Sequence, residues 1–418
     1  MNTNILFETA LGIKLPWYIE SINLDEDKKR LDIKINFKKW AKFDYKDATN
    51  CGVRDTVKKE WRHLNFFNYE CYLTARVPRV RYKDKDAKDY DNEKARTIKC
   101  PWEGVSPWFT LLFEALIMSF AQHMPINALS KLINVSDDKL WETLDKYVTE
   151  ARSTEDFSNV TTVWVDETSR RKWHNYITLF VDLIKKRLLF AIKWKDSETV
   201  VAFTEDLKLH WWDPELINHV SIDMSPSFIK WVKENLVNSK ITFDKFHCLK
   251  PINEAVDATR KLEAVMMPIL KKSRYALLKN EKNLKPSEIK KLEELRISKL
   301  NLKSLRAKHI RDTFQEIYKA QSKEEFVLLL NKWYFWATHS RIEPIKKAAR
   351  TIKAHWDWIV AWFDSRINNG ILEWFNSILQ AAKRKARGYR TVRNITIIAY
   401  LLLWKLDFKK VNKYYNAI

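Results

Sequence analysis

Glycine is nearly absent: the chain has five in 418 residues. That scarcity argues against a glycine-rich nucleotide loop, and neither GxGxxG nor GxxxxGK[ST] occurs. Cysteine is also sparse, with Cys51, Cys71, Cys100 and Cys248 at no regular spacing. No disulfide framework follows from four such residues, and an intracellular protein is the expectation. Long apolar runs are missing too. The longest, "ITIIAYLLLW" from Ile395 to Trp404, falls well short of the roughly 20 residues a membrane helix needs. The start, "MNTNILFETALGIKLPW", lacks the basic and apolar regions of a signal peptide.

Tryptophan and positive charge stand at the other extreme. There are 19 tryptophans and a formal net charge of +22. A chain this basic is expected to meet a polyanion, with nucleic acid the leading choice. Its length allows two to four domains.

The pattern changes several times along the chain. Two alternating runs around an acidic-basic turn, "YIESINLDEDKKRLDIKINF", predict a hairpin, and a basic strand-like stretch follows. Residues 1–105 are therefore read as a β-rich, zinc-finger-like DNA-binding segment. Within it Cys51, His63, Cys71 and Cys100 are the scattered groups that could hold a structural Zn²⁺. Residues 106–155 turn helical. Around Asn134, Leu129, Ile133, Val135 and Leu140 occupy the positions a helix-turn-helix needs for its core, with Ser136 or Asp137 as cap. The second helix carries Asp137, Asp138, Glu142 and Asp145, which suits phosphate poorly.

Over 156–246 the order reads β-β-β-α-β-α-β: three antiparallel strands, then alternating helices and strands. A mixed sheet flanked by helices follows, and the order matches a ribonuclease H-like core. Residues 247–365 read as helix throughout, a basic and tryptophan-rich insertion. Residues 366–418 give two more helices separated near Gly388, expected to complete the core. The fold class is thus α+β or α/β, multidomain, with an insertion interrupting a ribonuclease H-like mixed sheet.

Three carboxylates suggest chemistry. Asp166 ends the run "VWVDE", Asp223 ends "SIDMS", and Glu373 opens "ILEWFNS". Phosphodiester chemistry requires divalent metal held by carboxylates on rigid elements, and hard oxygen ligands suit Mg²⁺ or Mn²⁺. Glu167, Asp182, Asp196 and Asp244 compete for these roles, Asp182 more simply as a turn residue. Asp244 and His247 are read as supporting groups. Lys383, Arg384, Lys385, Arg387 and Arg390 form a basic cluster just beyond Glu373, with Gln380 and Arg384 on the Glu373 side of the helix. Cations of this kind position DNA without reading bases. Trp356, Trp358, Trp362 and Trp374 are available to stack on an unpaired base or to fill a core.

Several ordered blocks, "VDETSRRKWHNYITLFVDL", "SIDMSPSFIKWVKENL", "ITFDKFHCLKPINEAVD" and "NGILEWFNSILQAAKRKARGYR", resemble the bacterial insertion-sequence transposases of the ISL-three family, which are DDE transposases. The resemblance extends to "EWRHLNFFNYECYLTARVPRV" near the start. It implies that Asp166, Asp223 and Glu373 are the catalytic triad. It implies two Mg²⁺ or Mn²⁺ ions, and DNA strand cleavage followed by strand transfer. The partners implied are double-stranded terminal inverted repeats and target DNA, bound by a homodimer or larger assembly, in the bacterial cytoplasm near the nucleoid and without a membrane. Two departures stand out. The chain has no CxxC motif, and Trp374 and Phe375 follow the Glu where the family has a small residue. Their bulk is expected to crowd the site entrance. The competing expectation is a DNA-binding descendant with impaired catalysis.

Overall fold

The computed structural model describes residues 3–83, 93–171, 175–193, 196–298, 300–365, 370–403 and 406–415. It is a mixed α/β chain of two compact units. The first holds residues 1–155, 382–388 and 400–418; the second holds 156–381 and 389–399. The C-terminal stretch 366–418 is therefore shared between the units.

The first unit starts with helix α1 (Thr3–Leu11), which the sequence reading lacked. Strands β1 (Trp17–Asp25), β2 (Arg30–Phe37), β3 (Lys42–Tyr45), β4 (Ala48–Phe66), β5 (Tyr69–Lys83) and β6 (Glu93–Thr97) follow. They form one sheet in the order β1-β2-β5-β4-β3, with β6 also pairing with β5. β2 runs parallel to β5, and the other pairs are antiparallel. Alternation explains the core: Cys71, Leu73, Ala75 and Val77 on β5 are buried, together with Trp61, Ile33 and Trp17. Helices α2 (Leu111–His123), α3 (Ile126–Ile133) and α4 (Asp137–Ser153) complete the unit. Asn134 takes the left-handed conformation between α3 and α4 (φ 53°), and Ser136 is the N-cap residue of α4. Leu129, Ile133 and Leu140 are buried around this turn. The tail returns to this unit, where Asn412 Nδ2 donates to Leu111 O and to the Tyr147 hydroxyl, both at 2.7 Å.

The second unit is built on strands β7 (Thr162–Arg171), β8 (Asn175–Asp182), β9 (Arg187–Lys193), β10 (His219–Ile222) and β11 (Lys240–Phe243), in the order β11-β10-β7-β8-β9. β7, β8 and β9 are successively antiparallel; β10 runs parallel to both β7 and β11. Helix α5 (Asp196–Leu209) precedes β10, and α6 (Pro226–Asn235) links β10 to β11. Val220 to Ile222 and Ile241 to Phe243 are all buried, as expected of parallel strands covered on both faces. A helical series follows: α7 (Lys245–Glu263), α8 (Arg274–Leu278), α9 (Pro286–Ile297), α10 (Lys303–Ile317), α11 (Lys323–Thr338), α12 (Glu343–Ala354) and α13 (Trp356–Ser365). Then come α14 (Gly370–Lys385) and α15 (Val392–Leu403), with Gly388 at φ 95° in the turn between them. The stretch "KITFDKFH" has the apolar recurrence of a longer strand, but β11 stops at Phe243, because the Asp244 side chain accepts the Phe246 N–H and caps α7. No helix of the described residues is long and apolar enough to cross a membrane.

Candidate active site

Strand register brings the first two carboxylates together. β10 pairs with β7 as His219 with Thr162, Val220 with Val163 and Ser221 with Trp164. Continuing that offset sets Asp223 beside Asp166. β11 extends the row, since Ile222 pairs with Phe243 and the next residues are Asp223 and Asp244. Three carboxylate-bearing residues therefore stand in one row across the sheet, Asp166 midway along β7 and Asp223 and Asp244 just past the ends of β10 and β11, about 5 Å from neighbour to neighbour.

Each position has a local cause. Asp223 Oδ1 accepts the Ser225 N–H at 2.8 Å, and Pro226 starts α6 immediately after, so the carboxylate is held between a strand end and a helix start. Asp166 lies midway along the central strand β7 with 15% of its side chain exposed. Its Oδ1 accepts the Glu167 N–H at 2.7 Å, and its Oδ2 accepts from Asn376 Nδ2 at 3.0 Å. Burial raises the pKa of Asp166 above the ordinary carboxylate range, and the Asp223 charge adds to the rise. Asn376 and His247 pull the other way. His247, on the first turn of α7 rather than on a strand, has Nε2 3.8 Å from Asp166 Oδ1, beyond hydrogen-bond reach.

Helix α14 supplies the opposite wall. Asn376 reaches Asp166, and Gln380 Nε2 donates to Thr168 Oγ1 at 3.2 Å. Glu373 is three residues before Asn376, so the helical repeat sets it on the same face. Its side chain lies outside the described residues. The same geometry bears on the expectation about Trp374. It falls two residues before Asn376, about 160° round the helix, and it is 49% exposed while Phe375 is fully buried. Trp374 thus lies on the side of α14 away from the Asn376 contact with Asp166. Asn376 and Thr168 were not singled out in the sequence. Their signal is positional: one stands a helical turn after Glu373, the other two strand residues after Asp166.

The competing carboxylates divide cleanly. Glu167 alternates to the other face of β7. Asp182 is a turn residue, its Oδ1 accepting from Ile184 N at 2.9 Å and Lys185 N at 3.0 Å. Asp244 is buried as the cap of α7. The side chain of Asp196 lies outside the described residues.

The zinc candidates do not gather. Among the described residues no three of His, Cys, Asp and Glu are grouped to hold a metal. His63 and Cys71 face one another across β4 and β5, but the His63 ring nitrogen Nδ1 is engaged with Thr110 Oγ1 at 2.8 Å. Burial pushes the Cys71 thiol up to about 12 and raises Cys100 further, so both behave as core residues. Cys51 is half-buried opposite Phe43, and all four cysteines are free thiols.

In the basic cluster, Lys383, Arg384 and Lys385 form the last turn of α14, where cations also complement the helix dipole. Arg384, Lys385, Arg387 and Arg390 are exposed, and burial lowers the Lys383 ammonium.

Similarity to known proteins agrees with this arrangement. Residues 163–399 match the model of the ISL3-type DDE transposase family, described as "Transposase". The transposase for insertion sequence element IS1557 of Mycobacterium tuberculosis is 25% identical, with 95% of each chain covered. The transposase for insertion sequence element IS1001 of Bordetella parapertussis is 26% identical, covering 91% of this chain and 94% of its own. The matched span contains β7, β10 and α14, the three elements that bear Asp166, Asp223 and Glu373, and covers more than half of the chain. The chain belongs to the ISL3-type transposase family of insertion-sequence elements.

Proposed function

We infer that this chain binds the terminal inverted repeats of an insertion sequence, cuts the DNA at those ends and transfers the freed strand to a target. The observation that carries the reading is the strand register setting Asp223 beside Asp166, with the helix of Glu373 hydrogen-bonded to Asp166 through Asn376. The sheet order supports a ribonuclease H-like core: three antiparallel strands with the first central, then two strands parallel to it.

Divalent metal fits this donor set. Two carboxylates share one row across the sheet, where burial and mutual repulsion raise the Asp166 acid, and a cation between them would relieve both costs. Asp166, Asp223 and Glu373 would hold Mg²⁺ or Mn²⁺ in a two-metal arrangement through hard oxygen atoms. When bound, such ions supply Lewis acidity at a phosphodiester. The chain's own residues do the rest. Asn376 fixes the rotamer of Asp166, and Gln380 ties α14 to β7. His247 closes the row beside Asp166. Lys383, Arg384, Lys385, Arg387 and Arg390 would hold backbone phosphates.

The N-terminal sheet (1–105) and the α3–α4 pair, as a helix-turn-helix within 106–155, would bind the repeats. The core (156–246 with 366–418) would cut, and the helical insertion (247–365) would frame the DNA. A homodimer would hold the two ends together. The test is nicking of a terminal-repeat duplex with Mg²⁺ or Mn²⁺ by wild type and by Asp223→Asn. Wild type is expected to cut and the variant to bind without cutting. Wild type that binds the repeat and never cuts it would establish the DNA-binding descendant instead.

A further inference from the structure

One groove of the second unit is unaccounted for by the carboxylate site. It has a volume of about 450 Å³ and runs between α6 and the α12–α13 junction. Pro226, Ile229 and Trp358 give it apolar walls, His355 adds a second ring, and Lys230 and Lys233 stand on its rim beside one acid, Glu234. The exposed residues Lys347, Arg350 and Lys353 recur along α12, which leads into the groove.

Both walls begin at the carboxylate row. Pro226 comes three residues after Asp223, at most about 11 Å of chain. The Trp358 ring packs edge-on against Phe243, the residue before Asp244, with centroids 5.2 Å apart. His355 stacks on Trp358 at 5.5 Å and 25°, and burial lowers its pKa, which favours the neutral imidazole that extends the aromatic surface. Lys233 Nζ stands 5.1 Å from the Trp358 centroid, a cation over an aromatic ring. Lys230 is only loosely tied to Glu234, at 3.8 Å.

The other tryptophans of this region are differently employed. Trp362 is packed between Tyr318 and Phe326, and Trp356 against Tyr334. Trp358 is the one that lines an open groove beside the cutting residues.

We propose that this groove takes an unpaired nucleotide of the DNA strand next to the cut, its base stacked on Trp358 and its phosphate held by Lys233 and Lys230. Aromatic walls with cationic rims are the chemistry of single-stranded nucleic acid binding, and the charge of the rim selects a polyanion over a neutral peptide or lipid. The base would take the place of the Lys233 stem on the ring, and the released ammonium would meet the adjoining phosphate. The proposal rests on the transposase reading but is testable apart from cleavage.

The experiment uses the full chain without divalent metal and a short single-stranded oligodeoxynucleotide bearing one 2-aminopurine. Stacking on wild type is expected to quench the 2-aminopurine. Trp358→Ala should lose the quench and about ten-fold or more in affinity, and Trp358→Phe should keep much of both. Lys233→Ala and Lys230→Ala should each lower the salt slope of binding by about one. Wild type that fails to quench, or Trp358→Ala that binds and quenches as wild type does, overturns the proposal. If Trp358→Ala does not fold, unchanged affinity and salt slope in the doubly substituted lysine variant overturn it. Nicking of the repeat duplex by wild type is read in parallel. Cutting without quenching sinks the groove alone; quenching without cutting sinks the cutting activity and leaves the groove standing.

Discussion

Both units hold buried carboxylates, and two of them, Glu114 and the nearly buried Asp166, are finished differently. In the first unit Glu114 is fully buried, and every direction around it is filled. It accepts from Val105 N at 2.8 Å, Ser106 N at 2.7 Å, the Ser106 hydroxyl and the Tyr147 hydroxyl at 2.8 Å. Even the space above Gly104 is closed, since a Cβ there would meet the Glu114 carboxylate at 2.3 Å. In the second unit Asp166 has two donors, a like charge alongside and an edge open to solvent. Burial raises the acid in both. A carboxylate with a complete ring of donors is a structural tie. One with an incomplete ring, set next to another carboxylate, is a place where a cation and a phosphate can enter.

The comparison breaks most visibly at Asp223. Asp223→Asn removes one carboxylate of the row, and the Lewis acidity it helps to hold amounts to several kcal/mol, or on the order of a thousand-fold in nicking rate. The same change relieves repulsion on Asp166. The metal-free variant is therefore expected to melt no lower than wild type, as read by calorimetry. A lower melting temperature together with undiminished nicking would make Asp223 structural, like Glu114.

Glu114→Leu should do the reverse. It orphans four buried donors, and unmade bonds of this kind cost about 3 kcal/mol or more in sum. Denaturant unfolding of the full chain should show that loss, with nicking per folded molecule preserved. The pH dependence follows from the same pocket. Burial lifts Glu114 above its ordinary 4.5 against the pull of its donors. A group raised in the fold binds its proton more tightly there than in the unfolded chain. Its contribution is therefore complete below 4.5 and is lost as pH rises through the raised value. Glu114→Gln should flatten the stability curve over that window; an unchanged slope would mean that Glu114 does not titrate there.

The two carboxylates were unequally legible. Asp166 and Asp223 end apolar runs, and the strand-helix alternation after Val160 gives the sheet order, so their adjacency could be reasoned from pattern. Glu114 sits inside the helical run "FTLLFEAL" and looks like an ordinary first-turn acid. Its burial depends on the 104–106 loop and on Tyr147, which are joined only in three dimensions. His247 was placed on a strand because apolar residues recur through "KITFDKFH", but the alternation slips at Asp244 and Lys245, where the capping bond of Asp244 starts α7. The scattered cysteines suggested a metal, yet β-pairing sends Cys71 into the sheet core. Trp374 follows Glu373 in sequence, but the helical repeat turns it away from Asn376 and Asp166.

A finer distinction concerns the residues that aim the site. Asn376→Ala removes the one side-chain donor to Asp166 among the described residues. Partners of metal ligands typically matter by about 10- to 100-fold. Nicking should fall by that much at limiting Mg²⁺, with repeat binding unchanged, and higher Mg²⁺ should recover part of the loss. Loss of repeat binding as well would mean that Asn376 holds α14 in place rather than orienting a carboxylate.

The smallest effects are expected from the exposed cations, and salt separates them from the buried Glu114. Arg384→Ala and Lys385→Ala each remove one exposed charge from the last turn of α14. Each should weaken duplex binding uniformly across sequences and lower the slope of log affinity against log salt by about one. Glu114 is closed to solvent ions, so the stability lost in Glu114→Leu should hardly vary over the same salt range. If Arg384→Ala leaves the slope unchanged, the cation serves the helix end alone, and the phosphate contacts must come from elsewhere in this strongly basic chain.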